Sequence, residues 1–113
     1  MENMSEMLKG VLEGIVLERI SRGEVYGYEI VKYLVRMGFE DIAEGTVYAL
    51  LMRLERNRLV SITKKPSEIG PPRKFYTLNE RGRDELLSFW RRWDLLRSRL
   101  ELIRNNGGNT NEL

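Results

Sequence analysis

Hydrophobic residues recur along most of this chain at helical spacing, and the places where the spacing changes divide it into elements. Met4, Met7, Leu8, Val11, Leu12, Ile15 and Ile20 keep the three-and-four rhythm of a single helix over Met4–Ser21, with Val16 and Leu17 widening the stripe. A stripe this wide predicts burial on more than one side. Arg22-Gly23 ends it, with glycine where a C-terminal cap is expected. Tyr26-Gly27-Tyr28 opens the next segment, and Glu29–Met37 reads as a helix with Ile30, Val31 and Leu34 inward. Gly38 stops it. A short acidic connector, Phe39 to Glu44, leads to the stretch that organises the rest: Gly45 to Arg58, GTVYALLMRLERNR. There Val47, Leu50, Leu51 and Leu54 form one apolar stripe. The opposite side carries Thr46, Tyr48, Ala49, Met52, Arg53 and Arg56.

Beyond this helix the period shortens to two. Val60-Ser61-Ile62-Thr63 alternates and is β-branched, so it reads as a strand. Pro66 to Pro72 is a loop by composition, and Lys74–Leu78 is the return strand, with Tyr76 and Leu78 on one face and Phe75 and Thr77 on the other. Two strands alone are marginal, so the hairpin must lean on the helices. Asn79 is a plausible N-cap for a last helix. On it Leu86, Phe89, Trp93, Leu96, Leu100 and Ile103 follow an a/d heptad seam. The polar, Gly-Asn-rich end is expected to be disordered. The division that follows is a helical unit with its hairpin over 4–78, a seam-bearing helix over 79–105 and a tail over 106–113.

Helix, connector, amphipathic helix and hairpin make a winged helix-turn-helix in outline, a mainly α (α+β) fold with a two-stranded β wing and a C-terminal dimerisation helix. Glu44 precedes the Gly45–Arg58 helix as a poor N-cap whose charge opposes a phosphate there. Charge sharpens the functional reading. The chain of 113 residues carries a net charge of only +2. Between Arg53 and Lys74, however, the bases Arg53, Arg56, Arg58, Lys64, Lys65, Arg73 and Lys74 face only Glu55 and Glu68, a local balance of +5. A helix that anchors by one face and presents hydroxyls and guanidiniums on the other suits a DNA major groove; an ordinary amphipathic surface helix shows the same stripe. A basic hairpin next to it suits a wing, or else a solvated edge that deters aggregation.

Length and composition exclude more than they identify. One domain is the default, and a hydrophobic content of 42% affords a small core. With no cysteine and no histidine, the chain lacks disulfides, thiol nucleophiles, the commonest zinc ligands and the usual general base. No carboxylate pair or Gly-rich phosphate loop points to catalysis, so no catalytic residue, metal or cofactor is expected. The N-terminal MENMSEMLKG is neither a signal peptide nor a membrane anchor, and a cytoplasmic location is the expectation.

Three stretches together resemble the PadR family of bacterial and archaeal transcriptional regulators. They are Tyr26-Gly27-Tyr28-Glu29-Ile30, then Gly45-Thr46-Val47-Tyr48 with Arg53-Leu54-Glu55, then Arg73-Lys74-Phe75-Tyr76-Thr77-Leu78 with Gly82. The resemblance spans roughly Leu8 to Ile103, and the short C-terminal region looks like the LmrR-like subgroup with a single C-terminal helix. It implies a winged-helix homodimer that binds double-stranded operator DNA, usually to repress a nearby gene. On that resemblance Thr46, Tyr48, Ala49 and Arg53 lie on the reading helix. Arg73 and Lys74 match the basic wing, and Tyr28 and Lys32 lie on the helix that crosses the backbone. Arg56 and Lys64 extend the basic surface.

The resemblance further implies a small aromatic effector stacked on a tryptophan at the dimer interface. Trp93 falls at that position, with Trp90 and Phe89 beside it; a seam tryptophan is also an ordinary interface residue. The seam either folds back on the first helix of its own chain or meets a second copy. If it does both, Leu8, Leu12, Leu86, Phe89, Trp93, Leu96, Leu100 and Ile103 form the interface. A winged-helix protein–protein adaptor without specific DNA binding is the alternative function.

Overall fold

The computed structural model describes residues 4–106. The first apolar stripe is continuous, but the helix beneath it is not. It divides into α1 (Ser5–Leu8) and α2 (Leu12–Ser21), joined by a turn at Lys9–Val11 in which the Val11 N–H donates to the Leu8 carbonyl at 3.0 Å. This corrects the single helix expected over Met4–Ser21. Gly10 sits in the break, where its conformational freedom disfavours a helical turn by about 1 kcal/mol relative to alanine. Leu8 and Leu12 stay buried across the break, so the stripe keeps its side.

A two-residue strand, β1 (Val25–Tyr26), precedes α3 (Gly27–Arg36). Helix α3 thus starts two residues earlier than its apolar pattern announced. The Glu29 carboxylate accepts from the Tyr26 N–H at 3.2 Å and fixes the helix start. Helix α4 runs Glu44–Arg56 with Ala43 as N-cap. Glu44 is therefore the first helical residue rather than the cap expected, and its charge complements the positive end of the helix dipole. All four residues of the α4 stripe are buried, at 5% exposure or less.

Arg58 turns the chain out of α4 in a left-handed conformation, φ 59°. The cost is about 1–2 kcal/mol for a non-glycine residue, and the Asn79 amide offsets it by donating to the Arg58 carbonyl at 2.8 Å. Strands β2 (Val60–Lys65) and β3 (Arg73–Leu78) form the hairpin. The wing has the two strands expected, and β1 extends it to a three-stranded antiparallel sheet in the order β1-β3-β2. Val25 and Tyr26 pair with Tyr76 and Phe75 and give β3 a partner on its second edge. A bare hairpin would be marginal in water; the extra strand relieves that.

The last helix, α5 (Glu80–Asn105), has 26 residues and is about 39 Å long. Asn79 caps it as expected, its side-chain oxygen accepting from the Gly82 N–H at 2.8 Å. The core lies where α2, α3, α4 and the sheet meet the first half of α5, around Leu17, Ile20, Ile30, Leu34, Leu51 and Leu54. Of the tail expected over 106–113, all but Asn106 lies outside the described residues.

Candidate nucleic-acid interface

Burial of Val47, Leu50, Leu51 and Leu54 fixes the rotation of α4, and so decides which side chains it presents. The line directly opposite the stripe runs Gly45, Ala49, Met52 and Arg56, all exposed. Thr46 and Arg53 flank it on the side of α1 and α2. They share a cleft of about 670 Å³ with Ala49, Arg56, Lys9 and Asp41. There the Arg53 Nε lies 3.6 Å from the Glu13 carboxylate of α2. Tyr48 and Glu55 flank the line on the other side, toward the hairpin.

Tyr48 has a structural task beyond display. Its ring lies so close over Gly27 that a Cβ there would collide with it. Glycine at 27 therefore allows α3 and α4 to close on each other. Burial pushes the Tyr48 phenol above its ordinary pKa, and the Glu44 carboxylate adds to the effect. On α3, Tyr28 is exposed, and the Lys32 ammonium stands 5.6 Å from its ring centroid. Tyr28 and Lys32 thus form one surface on the helix before the reading helix.

The hairpin concentrates charge at the end next to its loop. Its register sets Lys64 directly opposite Lys74 and Lys65 directly opposite Arg73. Like charges opposed across a strand pair are destabilising, and the fold compensates locally. Lys74 pairs with Glu55 of α4 at 3.3 Å, and Lys65 pairs with Glu24. Lys65 also stands 4.6 Å from the Phe75 ring centroid, and the Arg73 guanidinium 4.7 Å from that of Tyr26. Among the described residues Arg56, Lys64 and Arg73 form no ion pair. The Lys74–Glu55 contact ties the loop-proximal part of the hairpin to α4. The cations of α4 and of the hairpin are thereby parts of one surface.

The residues expected around an effector also come together, on the opposite side of α2. An open apolar groove of about 320 Å³ lies between α1–α2 and α5, lined by Met7, Val11, Phe39, Phe89, Trp90 and Trp93 among others. Phe89 is buried in the core and meets the Trp90 ring edge-on at 5.0 Å between centroids. The Trp90 indole N–H donates to Glu18 at 2.8 Å. Burial opposes ionisation of Glu18, but the bonds from Trp90 and Arg22 outweigh it and hold its carboxyl below the ordinary value. Of the residues expected at a dimer interface, Leu8, Leu12, Leu86 and Phe89 are buried within this chain. Trp93 is half-buried, whereas Leu96, Leu100 and Ile103 are 48%, 50% and 65% exposed.

Three residues have roles here that the linear pattern did not give: Met52, Glu13 and Gly27. Met52 was visible on the polar side of α4, but its central position follows only from the helix rotation. Glu13 and Gly27 act through Arg53 and Tyr48, partners far away in sequence.

The helix pair α3–α4, the paired strands that follow and the basic surface they share define a winged helix-turn-helix of the DNA-binding class. The family model described as the transcriptional regulator PadR-like family matches residues 16–88. The chain belongs to that family. It is similar to a solved Streptococcus transcriptional regulator, 43% identical, with 88% of this chain and 97% of that one covered at a TM-score of 0.78. It is also similar to a PadR-like regulator from Bacillus cereus, 40% identical over 87% of this chain and 95% of that one, with a TM-score of 0.76. PadR of Bacillus subtilis, solved in complex with operator DNA, shares the fold at 24% identity and a TM-score of 0.66, over 74% of this chain and 48% of that one. Among the described residues no helix is long and apolar enough to cross a membrane.

Proposed function

We propose that this regulator works as a homodimer that binds operator DNA sequence-specifically and represses a nearby gene. The observation that carries the reading is the joining of α4 and the wing into one basic surface through Lys74 and Glu55. In this reading residues 4–78 bind DNA and 79–105 dimerise. Thr46, Ala49, Arg53 and Arg56 enter the major groove with Tyr48 at its edge. Lys64, Arg73 and Lys74 hold the phosphate backbone from the wing, and Tyr28 and Lys32 hold it from α3. The opposed cation pairs at the wing's end cost stability in the free protein; phosphates set between them would turn that cost into affinity. The operator-bound PadR of Bacillus subtilis supports the reading at the level of fold.

The exposed seam of α5 supplies the dimer contact. Among the described residues Leu96, Leu100 and Ile103 stay exposed, and a second copy of the same seam would match them. The Trp90–Trp93 groove then lies beside the interface, where a small flat aromatic ligand would stack and alter the spacing of the two α4 helices. Repression would be relieved by that ligand.

The test is fluorescence anisotropy on DNA from upstream of the protein's own gene, with excess random duplex as competitor. Binding that survives the competitor, at two chains per site, is the expected result. Equal loss to random duplex would contradict sequence-specific regulation and favour the adaptor.

A further inference from the structure

Met52 occupies the middle of the outward line of α4 and is 57% exposed, whereas every residue of the opposite stripe is at 5% or less. Single exposed apolar side chains are common on protein surfaces. This one is set apart by its neighbours. The same line holds Gly45 and Ala49, which are small, and Arg56, which is basic, with Arg53 on the flank. Ala49 and Met52 therefore make an apolar island one helical turn long, bounded by guanidiniums. Those guanidiniums suit the acceptor edges of guanine and the phosphates on either side.

The apolar feature that the edges of the bases present in a major groove is the C5 methyl of thymine. An unbranched, polarisable thioether adapts its rotamers to such a target. We propose that Met52, with Ala49 beside it, reads thymine methyl groups and is a specificity-determining residue of this protein. The inference rests on the DNA-reading assignment above and adds the base class: the preferred duplex carries thymine at a fixed step from the position that Arg53 approaches.

The experiment separates the two claims. The full chain is used to enrich a preferred duplex from a random-sequence pool. Each dT of that duplex is then replaced by deoxyuridine, which removes the methyl and leaves the pairing edge unchanged. At one position per half-site, wild type and Met52→Leu are expected to lose about fourfold in affinity, the value of one buried methyl. Met52→Ala, which leaves the core untouched, is expected to be indifferent to the same replacement. A duplex that enriches yet tolerates every dT replacement overturns the role of Met52 alone. So does a thymine dependence that Met52→Ala retains. A pool from which nothing enriches overturns sequence reading itself, and the role of Met52 with it.

Discussion

Helices α4 and α5 each carry an apolar stripe of regular helical spacing, and only α4 buries all of its own. In α4 the four stripe residues lie at 5% exposure or less; in α5 Leu86 and Phe89 are buried at 9% exposure each, and from Leu96 onward the seam is open. The difference agrees with the roles proposed for the two helices. An α4 fixed by its whole stripe cannot rotate, so its outward face is preorganised for a ligand. An α5 fixed only by its first half leaves the apolar seam of the second half exposed. Period alone does not tell a wholly covered stripe from a partly covered one; the packing of the rest of the chain does.

The largest effect that would break this comparison is in α4. Leu51→Ala, at a site with 0% exposure, should cost roughly 2–5 kcal/mol, read as a fall in the urea midpoint of unfolding. In α5 the corresponding lesion should act on assembly instead. Leu100→Asp should leave the helix content intact and convert dimer to monomer in sedimentation equilibrium. If Leu100→Asp unfolded the chain at every concentration, the seam would be core rather than interface.

Smaller effects sharpen the junction between the two regions. Asn79→Ala should lower stability by about 1 kcal/mol or somewhat more, since it loses the bond from the Gly82 N–H together with the brace on Arg58. A thermal melt with unchanged dimerisation would show it. The smallest effect concerns the brace behind Trp90. The Glu18 carboxyl titrates below its ordinary 4.5 in the fold, so its contribution is complete above that pH and is lost as pH falls through the lowered value. Tryptophan emission should therefore shift on acidification, and Glu18→Gln should abolish that shift.

The α4 stripe, both hairpin strands and the Asn79 cap were legible because each depends on spacing or on one residue's local chemistry. The break at Gly10 was not, since Leu8 and Leu12 keep their four-residue step across it and the apolar pattern does not see the turn. Strand β1 was hidden for a different reason: Val25-Tyr26 is too short to show a period, and only its pairing with Tyr76 and Phe75 makes it a strand. At the candidate site the basic residues were legible from charge density. Their partners were not. Glu13 meets Arg53, and Gly27 meets Tyr48, only because α2 and α3 pack against α4.

In the proposed complex α4 reads sequence while the wing supplies affinity. Arg53→Ala and Arg73→Ala, each measured on the preferred duplex and on random duplex at two salt concentrations, separate the two roles. Arg73→Ala should weaken both duplexes by one factor and flatten the salt slope by about one. Arg53→Ala should weaken the preferred duplex selectively, by about 1–3 kcal/mol. Loss of the same factor on both duplexes by both variants would contradict the account, leaving α4 as one more phosphate contact.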